Sequence, residues 1–235
     1  MTENNRNRHI CTGLMAHVDS GKTTLSEALL YTSGAIRKLG KVDTKDAFLD
    51  TDARERDRGI TIFSKQAELT WQGMELTLLD TPGHVDFSAE MERVLQVLDY
   101  AVLLISGADG VQGHTRTLWR LLARYNIPTF IFVNKMDISY QSQADLLQDL
   151  QTHLSSNIID MTLDDAQEQI SLCDEALLNE YLENNTLSKD SLQISFAKRT
   201  FFPVLFGSAL KNEGIDVLMD TIIDLSLEKE YPGEF

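Results

Sequence analysis

The octet Ala16-His17-Val18-Asp19-Ser20-Gly21-Lys22-Thr23 constrains this chain more than any other stretch, because of what flanks it. Before it runs a short apolar segment, 10–15 (ICTGLM), the signature of a buried strand. After it come Leu25, Ala28 and Leu29 at the i, i+3, i+4 spacing of one helix face, ending at the C-cap signal of Gly34. Such a strand–loop–helix unit turns backbone N–H groups and the positive end of a helix dipole toward an anion, which is how phosphate is cradled. In that unit Lys22 would reach the β- and γ-phosphates of a nucleotide, and the Thr23 hydroxyl, with Thr24 beside it, would hold Mg²⁺. The strict pattern asks for Gly at position 16, where this chain has Ala. Read alone, the octet is also compatible with an ordinary glycine-containing turn.

The rest of the chain repeats the alternation. Thr61 to Trp71, a Gln72-Gly73 turn, and Met74 to Leu79 read as an antiparallel hairpin. Tyr100 to Ile105 and Thr129 to Val133 are continuous apolar runs, as strands covered on both faces should be. Helical periodicity falls at 87–98, 114–125 and 141–154, and a last strand (Phe202 to Phe206) precedes a last helix (Gly214 to Leu227). This order predicts an α/β fold, a phosphate-loop NTPase three-layer sandwich with a mostly parallel six-stranded sheet and one antiparallel edge strand. The organisation expected is a flexible N-terminus at 1–8 and one domain over 9–228 with an acidic insertion around 138–195. Residues 229–235 (KEYPGEF) would then start a linker to further domains. Ligands of such sheets sit at the carboxyl ends of the strands, and that is where the remaining motifs fall.

Asp80-Thr81-Pro82-Gly83-His84 follows the third strand. A carboxylate there can hold a water on Mg²⁺, and the Gly83 N–H can bond a γ-phosphate. Asn134-Lys135-Met136-Asp137 follows the strand ending at Val133. The Asp137 carboxylate can accept from both N1 and the exocyclic amine of guanine. Adenine would leave a buried group unpaired, so the motif selects GTP and GDP over adenine nucleotides. Ser208-Ala209-Leu210 follows the last strand and offers a backbone N–H to the guanine O6, with Leu210 where a Lys often stands. Each motif alone could be a polar turn; four of them in order, each at a strand end, define a guanine-nucleotide site.

Composition narrows the partners. The net charge of −15 at pH 7 excludes a general nucleic-acid coat, which needs clustered Lys and Arg. Between Ile138 and Asp190 stand eleven acidic residues and one basic residue, Lys189, a solvated stretch or a docking face for a basic protein. Residues 37–60 mix seven basic and six acidic side chains with few apolar anchors, so order there is expected only when a nucleotide holds Thr61. No signal peptide opens the chain, no apolar run reaches the roughly 18 residues of a membrane span, and no membrane contact is expected. Cys11 and Cys173, the only two cysteines, lack metal-site spacing and read as buried small hydrophobes in a reduced compartment.

Arg58-Gly59-Ile60-Thr61-Ile62, with His84 where small signalling GTPases usually carry Gln, resembles the translational GTPases. The resemblance covers roughly residues 8–227. It implies ribosome-stimulated hydrolysis of GTP to GDP and phosphate in the cytoplasm. The ribosomal partner would be the GTPase-activating region of the large subunit, engaged through a full-length protein, while the domain by itself would be monomeric. It also implies that Thr61 completes the Mg²⁺ coordination and that His84 is the catalytic residue orienting the attacking water. Val18 and Ile60 would flank His84 as a hydrophobic gate, and Asp19 matches a position proposed to hold a monovalent cation. Within the family, 29–36 (LLYTSGAI), 39–43 (LGKVD) and 55–59 (ERDRG) look like the tetracycline-resistance ribosomal protection proteins, relatives of elongation factor G. An elongation factor G-like translocation paralogue would look the same over these residues. A GTP-sensing regulatory module without ribosome contact would differ in showing no dependence of turnover on ribosomes.

Overall fold

The computed structural model describes residues 8–37, 65–80 and 88–227. Strand β1 (Arg8–Ala16) feeds helix α1 (Lys22–Thr32), and the hairpin β2 (Lys65–Trp71) and β3 (Met74–Asp80) turns at Gln72-Gly73, both with positive φ. Then alternate α2 (Ser88–Leu95), β4 (Tyr100–Ser106), α3 (Gly113–Arg124), β5 (Thr129–Asn134), α4 (Gln143–His153) and β6 (Ile158–Asp160). Three short helices follow, α5 (Ala166–Ser171), α6 (Glu175–Asn184) and α7 (Lys189–Ala197), before β7 (Phe202–Phe206) and α8 (Ile215–Leu225).

The sheet has seven strands in the order β2-β3-β1-β4-β5-β7-β6, where six were expected. The extra strand is β6, parallel to β7 through Ile158↔Phe202, Ile159↔Pro203 and Asp160↔Val204. Three residues span too little of a two-residue period to be recognised locally; only the partner makes them a strand. All other pairs are parallel except β2 with β3, so the antiparallel edge strand is where the hairpin placed it.

Strands β4, β5 and β7 are buried along their whole lengths. Side-chain alternation divides their residues between two cores. Leu14, Val102, Leu104, Phe130, Phe132 and Leu205 pack on the face that holds Leu25 and Leu29 of α1 and Leu218 and Ile222 of α8. Met15, Leu103, Ile105, Ile131, Val133 and Val204 pack with Leu118 and Leu122 of α3 and Leu146 and Leu150 of α4. The acidic stretch is folded into this plan: Ala166, Ile170, Leu177, Leu187 and Phe196 join the first core. The charges of its short helices stay at the surface because one face of each helix is apolar, while Asp160 at the end of β6 is buried and accepts from the Thr162 N–H and hydroxyl. Cys11 and Cys173 are free thiols packed partly buried against the cores, and burial, then Asp174, pushes the Cys173 thiol pKa up.

Candidate functional site

Parallel pairing brings the ends of β1, β3, β5 and β7 to one edge of the sheet, and the site is built there. Gly21 caps α1 in the left-handed region (φ 91°), no side chain caps the helix, and no acidic residue stands in its first turn. The first N–H groups of α1 therefore meet an open, electropositive helix end, the condition for seating a phosphate. Glycine is required at this point: a Cβ on Gly21 would lie 2.5 Å from Asn134 Nδ2.

Lys22 Nζ donates to Asp80 Oδ1, and the carboxylate is almost fully buried. A buried carboxylate needs such a partner. The pair brings the last residue of β3 within side-chain reach of the start of α1, although 58 positions separate them. Half-buried Thr23, next in sequence to Lys22, adds a hydroxyl; with the Asp80 carboxylate it makes up hard-oxygen donors of the kind Mg²⁺ takes, so the residues present fit that ion.

Asn134, 2% exposed, joins the two halves of the site. Its Nδ2 donates to Ser20 O at 2.9 Å, in the phosphate loop, and its Oδ1 accepts from Ala209 N–H at 2.8 Å. Lys135, held at φ 63°, donates from Nζ to the carbonyl of Asp19, itself at φ 63°. Two adjacent loops thus hold non-glycine residues in the left-handed region, each costing about 1–3 kcal/mol, and each bracing the other. Met136 N–H donates to Gly207 O at 3.1 Å, which ties the Asn134–Asp137 turn to the end of β7. The Asp137 carboxylate, in a 3₁₀ turn at Met136–Ile138, is half-buried and has no hydrogen-bond partner among the described residues. It is free to accept hydrogen bonds from a ligand.

Ser208 and Ala209 are fully buried, and Ser208 pairs with Glu213 through both backbone bonds, so 208–213 is a closed loop. Leu210 is 62% exposed and does not line a closed pocket. The Ala209 N–H, assigned from sequence to the guanine O6, is engaged by Asn134, so an incoming base would share that donor. Gly207, which the motifs do not include, shapes this edge: a Cβ there would lie 2.3 Å from Glu213 O and 2.7 Å from Phe132, so only glycine lets the 208–213 loop close on the end of β7. Its place immediately before Ser208-Ala209 was the available signal.

The structure brings Ala16, His17, Val18, Asp19, Ser20, Gly21, Lys22, Thr23, Thr24, Asp80, Asn134, Lys135, Met136, Asp137, Ser208, Ala209 and Leu210 to this edge or its rim. Thr81, Pro82, Gly83, His84, Ile60, Thr61 and the 38–60 part of the effector stretch lie outside the described residues. His17 packs its ring 5.8 Å from that of His114, at the start of α3, and its Nδ1 is buried without a partner.

A doubly wound sheet with a bare helix end at one strand terminus and a polar turn with an unpaired carboxylate two strands away has the architecture of the phosphate-loop nucleotide-binding class. The elongation factor Tu GTP binding domain model matches residues 7–227, and this chain belongs to that family of translational GTPase domains. It is 38% identical over 240 residues to the tetracycline resistance protein TetM from transposon Tn5251 of Streptococcus pneumoniae, covering 94% of this chain and 38% of that protein. Identity to TetO of Streptococcus pneumoniae is 40% over 228 residues, covering 89% of this chain and 36% of TetO. The chain thus spans under two-fifths of the length of these relatives. A crystal structure of a Thermus thermophilus protein superposes with a TM-score of 0.85 at 24% identity, over 93% of this chain and 40% of that one. Its likeness is one of fold.

Proposed function

We propose that this chain binds GTP with Mg²⁺ at the strand-end site and hydrolyses it, as the nucleotide domain of a cytoplasmic translational GTPase acting on the ribosome. The observation that carries this reading is Asn134, whose two hydrogen bonds fasten the phosphate loop to the base-side loop. Nothing in a structural turn calls for that link; a ligand with phosphate at one end and base at the other does.

On this reading Lys22 leaves Asp80 for the β- and γ-phosphates, a stronger anionic partner. Thr23, Thr61 and, through a water, Asp80 would hold Mg²⁺, which neutralises charge on the phosphate oxygens. His84 orients a water for in-line attack on the γ-phosphorus; the bond to the β–γ bridging oxygen breaks, giving GDP and phosphate. Val18 and Ile60 flank His84. Asp137 accepts from guanine N1–H and the exocyclic amine. Residues 9–228 act as one nucleotide domain. The large-subunit GTPase-activating region aligns His84 in the full-length protein, and with 38–40% identity to TetM and TetO the most specific role is ribosomal protection against tetracycline.

Calorimetry tests the core of this. GTP and GDP should bind much more tightly than ATP, and Asp137→Asn should move the preference toward xanthine nucleotides, whose 2-oxo group accepts from the new amide. Equal affinity for GTP and ATP would remove the assignment. For the whole protein, turnover should rise with ribosomes, and expression should raise tetracycline tolerance in a sensitive host.

A further inference from the structure

The base-side loop is held on its inner flank by Asn134. Its outer flank carries a second tie that no nucleotide motif contains. Thr32, the last residue of α1, donates its hydroxyl to Asn212 Oδ1 at 2.9 Å across 180 positions of sequence. Among the described residues this is the side-chain hydrogen bond between α1 and the 208–213 loop. Asn212 sits at φ 58°, in the left-handed region that Asn tolerates better than most residues. Its backbone N–H donates to Ala209 O at 3.3 Å, and Ala209 N–H in turn meets Asn134 Oδ1 at 2.8 Å. A continuous hydrogen-bonded path thus runs from the end of α1 to the donor assigned to the guanine O6.

Both ends of that path matter for the site. The first turn of α1 is the phosphate cradle, and its last residue precedes Ser33 and Gly34 (φ 78°), where the chain leaves toward the 38–64 stretch. On the guanine-site reading, a base held by the Ala209 N–H is released more readily when the 208–213 loop is free to move away from it. The Thr32–Asn212 bond closes the loop onto a rigid helix.

We propose that Thr32 and Asn212 are positioning residues for guanine: their hydrogen bond holds the Ser208-to-Glu213 loop against α1, setting the Ala209 N–H on the O6 and slowing nucleotide release. This rests on the guanine-site reading above and adds two residues and a direction of coupling to it.

The test measures dissociation of GDP from the full chain, with wild-type affinity for GDP over ADP checking the underlying reading separately. Thr32→Val removes the donor with little change of shape, and Asn212→Gly removes the acceptor while keeping the left-handed backbone. Each should speed GDP release about five- to tenfold, the worth of one neutral hydrogen bond, and the double variant should release no faster than either single one. Thr32→Ser and Asn212→Asp keep donor and acceptor and should stay within about twofold of wild type. The diphosphate of 2-aminopurine riboside, which lacks O6, should dissociate at one rate from wild type and all five variants. Wild-type release from Thr32→Val and Asn212→Gly, additive effects in the double variant, or equal acceleration for the analogue without O6 would each overturn the proposal.

Discussion

Asn134→Ala should separate the two halves of the site, and its cost follows from what it strands. The side chain is 2% exposed and makes two bonds, Nδ2 to Ser20 O at 2.9 Å and Oδ1 from Ala209 N–H at 2.8 Å. Alanine leaves a carbonyl and an N–H without those partners; each such buried group costs about 1–3 kcal/mol when left unmade. Part of that is recovered, because the vacated space adjoins the nucleotide edge and admits a water that can bond both groups. Helix α1 also loses the contact that fixes Gly21, whose Cα stands against the Asn134 amide. The net expectation is a loss of about 2–4 kcal/mol, a large share of the roughly 5–15 kcal/mol of a typical domain. Urea unfolding followed by circular dichroism reads it as a lower midpoint with unchanged slope. GDP affinity should fall as well, with phosphate loop and base loop no longer in fixed register. A change under about 0.5 kcal/mol, the range of neutral surface substitutions, with GDP affinity intact, would refute the view that Asn134 is the fastener.

Three further outcomes can be checked independently. Gly21→Ala combines φ 91° with a Cβ 2.5 Å from Asn134 Nδ2, so it should abolish detectable GTP binding while leaving far-UV circular dichroism near wild type. The Asp145 carboxyl is held below its ordinary 3.8 by hydrogen bonds from the Ser142 side chain and backbone at the start of α4. A lowered folded-state pKa means this contribution is present above 3.8 and is lost as pH falls through the folded value, so α4 should fray at its N-terminus only in that acid window. A carbon-detected NMR titration should show the Asp145 pKa rising toward 3.8 in Ser142→Ala; no movement would count against the capping box. His84→Ala should leave GTP affinity intact and cut ribosome-stimulated turnover on the order of 10²-fold or more, measured as phosphate release by the full-length protein; wild-type turnover would remove His84 from the mechanism.

Sequence alone determined the local parts of this protein. The 10–15 run, the Leu25/Ala28/Leu29 face and Gly34 bound a strand and a helix that the structure ends within a residue or two, because strand and helix periods are written in neighbouring residues. The phosphate loop, Asp80, the Asn134–Asp137 turn and Ser208-Ala209 were legible for the same reason: each is a short motif at the end of an apolar run. What the local code does not carry is the identity of partners far apart in the chain. Residues Ile158–Asp160 become a strand only beside β7, and the acidic stretch becomes three helices with an apolar side only because the first core is there to receive Ile170, Leu177 and Phe196. The Lys22–Asp80 pair, the double grip of Asn134 and the Thr32–Asn212 tie span 58, 114 and 75, and 180 positions. Parallel strands joined by crossovers bring such residues together at one sheet edge, and no pattern within a single segment encodes that meeting.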